Sequence, residues 1–206
     1  MIAEKKGAIL ILSGPSGCGK STLLKEVYKK ISDYYFSIST TTRSPREGEV
    51  HGVDYFFVTK EEFENDIKND DFLEYALVHG NYYGTSLKPI NEALNEGKLV
   101  IFDIDVQGHE IVRNKLNDIV TSVFITTPSL SELENRLKSR NTDSSEVISN
   151  RIKNAKEEIK SFQEYDYLII NDDLQEATTQ LVSIASITRS KSKLFDRDFI
   201  VNEWMN

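Results

Sequence analysis

Gly14-Pro15-Ser16-Gly17-Cys18-Gly19-Lys20-Ser21 fits the spacing G-x-x-x-x-G-K-[ST], and the residues on either side suit it. Ile9-Leu10-Ile11-Leu12 reads as a buried strand entering the stretch. Leu23, Leu24, Val27, Tyr28 and Ile31 recur at helical spacing as the chain leaves it. Between a strand and a helix, glycines let the backbone curl so that its amides converge on an anion. Lys20 can then reach the β- and γ-phosphates of a nucleotide, and the Ser21 hydroxyl can hold Mg²⁺. The loop predicts a nucleoside triphosphate gripped by Gly14, Pro15, Ser16, Gly17, Cys18, Gly19, Lys20, Ser21 and Thr22. It leaves the fate of the γ-phosphate open.

Outward from the loop, apolar runs alternate with helical patterns, which predicts an α/β fold with a parallel core sheet flanked by helices. Phe36–Ser39 reads as a short strand. Thr40–Gly52 turns polar and is punctuated by Pro45 and Gly48, and Tyr55–Val58 is strand-like. Thr59 followed by Glu62 predicts a capping box for a helix reaching about Asn69. Phe72–Val78 and Tyr82-Tyr83 read as two strands around a Gly80-Asn81 turn. Residues 39–85 therefore form a small, mainly antiparallel insertion between two parts of a core, 1–38 and 86–206. In the core, a helix over 86–96 ends at Gly97. Strands follow at Lys98–Asp103, Val120–Thr126 and Tyr167–Ile170. Ser129 starts a helix with Leu130, Leu133 and Leu137 on one face. Ile148, Ile152, Ala155, Ile159 and Phe162 mark another, and Leu174, Ala177, Leu181 and Ile184 a third.

Composition narrows the function classes. A chain of 206 residues with 39% hydrophobic and 28% charged residues is sized and mixed for one globular domain. The net charge of −8 argues against broad binding to nucleic acid or an anionic membrane, so a phosphate ligand must be met by a local cationic site. Ala8–Leu12 is too short for a signal peptide or a membrane span, which makes a cytoplasmic setting the expectation. The single cysteine, Cys18, gives no disulfide framework and reads as a small side chain in the loop. His51, His79 and His109 are scattered and show no metal-ligand spacing; they read as surface or locally hydrogen-bonded residues.

A second anion site is suggested by Arg43 and Arg46, which are separated by a stiffening Pro45. Their guanidinium forks match a phosphate monoester. Taken alone, two loop arginines are more often solvated surface. The ordered series Gly14–Leu24, Ser39–Glu49, Gly52–Phe57, Phe72–Thr85, Asp103–Gly108 and Arg136–Arg151 resembles the guanylate kinase family over almost the whole chain. The resemblance implies a P-loop nucleoside monophosphate kinase fold and the reaction ATP + GMP giving ADP + GDP, with Mg²⁺ as cofactor and dGMP as a further acceptor.

By the same resemblance, Ser39, Arg43, Arg46, Tyr55 and Tyr83 hold the phosphate of GMP, while Glu74, Thr85 and Asp103 recognise guanine. Glu49 stands near the acceptor phosphate and acts through water or an arginine. A carboxylate at Glu74 suits guanine, whose N1–H and 2-amino group both donate; adenine offers neither. Asp103 or Asp105 organises metal-bound water. Lys20, Arg43, Arg136, Arg140 and Arg151 act on the transferring group, the last three flanking a mobile lid over 136–151. Asn171, with Asp172, resembles the segment contacting the adenine of ATP.

Three departures from the family pattern stand out: Cys18, His109 where a small residue is common, and Thr127 in place of the first of two prolines before Ser129. Competing readings keep the fold but change the acceptor, make the chain a non-catalytic protein-binding module, or make it a regulatory nucleotide switch. The intact Lys20-Ser21 speaks against the scaffold, and the paired arginines speak against the switch. The expected partners are the small-molecule nucleotides ATP and GMP, with neither nucleic acid nor membrane. The apolar residues of the tail 191–206 are expected to pack on the domain, with a subunit contact in a homo-oligomer as the alternative.

Overall fold

Ala8–Ser13 (β1) is buried at every position, so it can only be a central strand covered on both faces. The computed structural model describes residues 6–78, 80–139 and 144–206. In it β1 lies between Leu99–Asp103 (β7) and Val120–Thr126 (β8), with Tyr34–Phe36 (β2) and Tyr167–Ile170 (β9) at the edges. All four pairings are parallel. Alternate residues serve opposite faces. Leu10, Leu12, Ile101, Val123 and Ile125 pack with Lys20–Tyr28 (α1), Leu130–Ser139 (α5), Ser145–Glu158 (α6) and Leu174–Thr188 (α7). Ile9, Ile11, Val100 and Phe102 pack with Leu87–Asn95 (α3) and Val106–Leu116 (α4). Parallel pairing brings the loops after β1 and β7 to one end, in the register Leu12↔Asp103.

A second sheet of four strands follows the order β4-β3-β6-β5. It comprises Thr40–Thr41 (β3), Phe56–Phe57 (β4), Phe72–Val78 (β5) and Asn81–Ser86 (β6). Its β3–β4 pair is parallel, and its β3–β6 and β5–β6 pairs are antiparallel. Lys60–Lys68 (α2) starts with the capping box read from Thr59 and Glu62. It leans on this sheet through the fully buried Phe63, stacked on Phe72 at 4.2 Å and on Tyr82 at 5.0 Å. Leu73 crosses from this sheet into the core cluster of Ile9, Ile11 and Ile90, and Lys115 Nζ donates to its carbonyl at 2.8 Å.

Several sequence expectations are corrected. The second strand is Tyr34–Phe36 rather than Phe36–Ser39, because it is Tyr34, Tyr35 and Phe36 that pair with β7. Helix α4 has no counterpart among the expected elements. Leu130 and Leu174, the first residues of their apolar stripes, are exposed, as is Ile159, which lies just past the end of α6. The 159–164 segment is a 3₁₀ turn, not a continuation of α6. His109 is buried on α4 and stacked on Tyr165 at 3.9 Å rather than placed at the surface. The tail divides: Leu194 is buried and its carbonyl accepts from Lys6 N at 3.0 Å, whereas Arg197–Met205 (α8) buries no residue.

Candidate active site

The phosphate loop closes over the C-terminal end of β1. At Gly14 the backbone runs at φ 143°, and a side chain there would run into the Ile125 carbonyl of β8. The loop is tied internally by Cys18 N–H donating to the Pro15 carbonyl at 3.1 Å. The Cys18 side chain belongs to the core cluster, with Leu133 and Leu137. Burial pushes its thiol pKa up against the opposing pull of Lys20. The cysteine packs in the core as a small side chain, which is how the sequence reads.

Lys20 begins α1. Its Nζ donates to the Gly14 carbonyl at 2.6 Å and stands 3.9 Å from Asp103 Oδ1. Burial pushes the Asp103 carboxyl above its ordinary range, with Lys20 opposing. Asp105 plays a separate part, because its Oδ1 accepts from Gly108 N at 2.8 Å and caps α4. Both aspartates line a cleft of about 370 Å³ together with Gly19, Lys20, Ser21 and Glu158. Glu158 escapes a reading of the sequence, where the last residue of α6 looks like an ordinary solvated glutamate.

Of the three arginines that the sequence reading assigned to a lid, Arg151 donates from Nη1 to Ser16 Oγ at 2.7 Å. Arg136 is steered by Glu132, one helical turn earlier, at 2.7 Å. Its Nη1 lies 4.0 Å from where a Gly19 Cβ would sit. Both therefore reach the phosphate loop. Arg140 lies outside the described residues. Asn171 is held beneath the loop, its Nδ2 donating to the Cys18 carbonyl at 2.8 Å.

The second sheet and the segment joining β3 to β4 carry the other set. Arg43 Nη2 donates to both carboxylate oxygens of Glu49, at 2.8 and 2.9 Å. Glu49 Oε2 also accepts from Arg46 N at 2.7 Å, so the polar loop is folded around one carboxylate. The Arg43 bond, above all, lowers the Glu49 pKa, and the same bond raises that of Arg43. The Arg43 guanidinium lies 5.5 Å from the Tyr55 ring centre, and Tyr55 meets Tyr83 edge-on at 6.2 Å. The Ser39 carbonyl accepts from Phe56 N at 2.9 Å, which places Ser39 beside β4. Glu74 and Thr85 face each other across β5 and β6, next to a register shift between Phe72 and Glu74. Thr85 Oγ1 donates to Glu74 Oε1 at 2.6 Å.

Residues 6–187 match the family model described as guanylate kinase. The chain belongs to the guanylate kinase family. Among relatives similar to it, the guanylate kinase of Sulfurimonas denitrificans is 58% identical over 201 residues, covering 98% of each chain. That of Helicobacter pylori is 50% identical over 198 residues, covering 96% of each. The crystal structure of guanylate kinase from Anaplasma phagocytophilum shares 33% identity and a TM-score of 0.68, over 94% of this chain and 92% of that one. Among the described residues, no helix is long and apolar enough to cross a membrane.

Proposed function

We infer that this chain transfers the γ-phosphoryl group of ATP to GMP, and to dGMP, yielding ADP and the nucleoside diphosphate. Family membership supports the reaction. The observation that carries the choice of acceptor is the Glu74 carboxylate bonded by Thr85 on the sheet that also bears Tyr83, with Arg43 and Tyr55 in the segment joining its strands β3 and β4. A fixed acceptor group suits the two donors of the guanine edge, and against adenine it would be left without a partner. Arg43, Arg46, Tyr55, Tyr83 and Ser39 receive the GMP phosphate on this reading. Asp103 lines the phosphate-loop cleft beside Lys20, and on this reading its carboxylate also serves guanine.

The donor half is the loop Gly14–Thr22. Lys20 follows the β- and γ-phosphates, while Arg136, Arg140 and Arg151 close from the 136–151 lid over the transferring group. The second phosphate pKa of GMP is about 6, so the attacking oxygen is already largely ionised near neutrality and no general base is needed. Glu49 orients Arg43 and Arg46 rather than taking a proton. Water would divert ATP to hydrolysis, so closure of the 39–85 module and the lid precedes transfer.

Mg²⁺ fits the donor set: the Ser21 hydroxyl and the Asp103 carboxylate line the same cleft and are hard oxygen ligands. Among the described residues no three His, Cys, Asp or Glu side chains gather as a metal site of their own, so the ion would share its ligands with the nucleotide. When bound, it neutralises charge on the phosphate chain. The reading carries a cytoplasmic setting, where its nucleotide substrates are supplied.

The test is a coupled assay of ADP formation with ATP, Mg²⁺ and each nucleoside monophosphate in turn. GMP and dGMP are expected to stand well above AMP, CMP and UMP. Preference for AMP, or folded protein with no acceptor-dependent turnover, would overturn the assignment.

A further inference from the structure

Asn171 sits immediately after β9, where its backbone N–H donates to the Thr126 carbonyl at 2.7 Å and extends the β8–β9 ladder. The residue is 5% exposed. From this anchored position its Nδ2 donates to the Cys18 carbonyl in a buried bond of 2.8 Å. The side chain fills the space against Gly19 so closely that a Cβ on Gly19 would run into Nδ2, and Gly19 itself runs at φ 99°. The amide donor is therefore committed to the phosphate loop.

The consequence follows from peptide geometry. The described chain contains no cis peptide bond. In a planar trans peptide the C=O of one residue and the N–H of the next point in opposite directions. Holding the Cys18 oxygen toward Asn171 turns the Gly19 N–H the other way, toward the cleft lined by Gly17, Gly19, Lys20 and Ser21. A flip of this peptide would present a carbonyl oxygen to the incoming phosphate, where an N–H is wanted.

We propose that Asn171 is a positioning residue for the phosphate loop, holding the Cys18–Gly19 peptide so that its N–H faces the triphosphate, rather than a contact for the adenine base. The proposal rests on the donor-site reading given above. It also gives asparagine a reason at this position, since an aspartate would set a carboxylate against the Cys18 oxygen with no donor between them.

The experiment uses the full chain and its Asn171→Asp and Asn171→Ala variants, with folding checked by circular dichroism. Titration calorimetry with Mg²⁺ reads two probes, a non-hydrolysable ATP analogue and inorganic tripolyphosphate, which has no base. Both affinities are expected to fall by a similar factor of about ten or more, the scale on which an unsatisfied buried carbonyl acts, while KM for GMP stays close to native. Gly19→Ala is expected to be less damaging in the Asn171→Ala background than in the native one, because the collision is relieved.

Loss of ATP affinity with tripolyphosphate binding unchanged would assign Asn171 to adenine and overturn the proposal. So would unchanged affinity for both probes, native protein that binds the analogue but not tripolyphosphate, or failure of both variants to fold. If native protein bound neither probe, the donor-site reading itself would fall. A wrong acceptor would show only in the monophosphate assay, which these titrations do not touch.

Discussion

Replacing Phe63 by alanine is expected to separate the two halves of the site. Phe63 is fully buried between Phe72 and Tyr82 and belongs to neither of the core clusters around β1. Truncating a buried phenylalanine costs about 3–5 kcal/mol, with each lost ring pair contributing about 0.5–1.5 kcal/mol of that order. The cavity cannot close easily, since β5 and β6 are pinned to each other over Phe72–Ser86. Against a total stability of about 5–15 kcal/mol for a domain, such a loss falls on the small sheet and its helix long before it unfolds the core. If the second sheet is then formed only a tenth of the time, apparent GMP affinity drops about tenfold, in proportion to the competent fraction. Steady-state kinetics should show that rise in KM for GMP, with binding of a non-hydrolysable ATP analogue little changed. Hydrogen exchange should show loss of protection in 72–86 and retention in 8–13 and 99–103. Equal losses of ATP and GMP binding, or unchanged exchange in 72–86, would refute the reasoning.

The Glu74→Gln variant should lose preference for GMP over AMP by about tenfold or more while KM for ATP holds, because one carboxylate acceptor becomes a donor; unaltered selectivity in the monophosphate assay would count against the role. Arg43→Ala should raise KM for GMP and leave Glu49 facing the phosphate without its partner, so adding Glu49→Gln should recover part of the loss; equal damage to ATP binding would put Arg43 on the wrong side. His109 is held below its ordinary pKa of 6.5, first by burial and then by Arg113, with Asp166 opposing. Well above pH 6.5 it is neutral folded and unfolded alike. As pH falls below 6.5 the unfolded chain takes up a proton that the folded chain refuses, so stability declines. Urea midpoints at about pH 7.5 and 5.5 should differ less in His109→Phe than in the native protein, and an identical pH dependence would exclude this contribution.

The phosphate loop was legible because its pattern is local: the glycines, Lys20 and Ser21 are contiguous, and Ile9–Leu12 ahead of them can only be a covered strand. The Thr59–Glu62 capping box was legible for the same reason, spanning a single helical turn. Helix α4 was not. Gly108 near its start looks like a breaker, and the inward residue His109 looks polar, although it packs on Tyr165, far along the chain. The fork between Arg113 and Asp166, at 2.7 and 2.8 Å, ties α4 to the start of β9, and no local pattern announces a partner 53 residues away. The Arg43–Glu49 fork was only half legible: the sequence marked both residues, but only the fold reveals that the carboxylate also binds Arg46 N. Asn171 was read, by resemblance, as part of the segment contacting adenine. Its hydrogen bond to Cys18, 153 residues earlier, has no local signal in the sequence.

Leu73 bears on any attempt to exchange the acceptor half between relatives as a cassette. A graft of 39–85 would carry this leucine away from the core socket built by Ile9, Ile11, Ile90, Val100 and Phe102, and from the Lys115 ammonium on its carbonyl. The recipient would have to offer a matching hollow, or forfeit about 1.5–3 kcal/mol of burial at the root of the transplanted piece. Chimaeras cut at the ends of the module are thus expected to fail at its middle, and successful ones to carry α4 along with it.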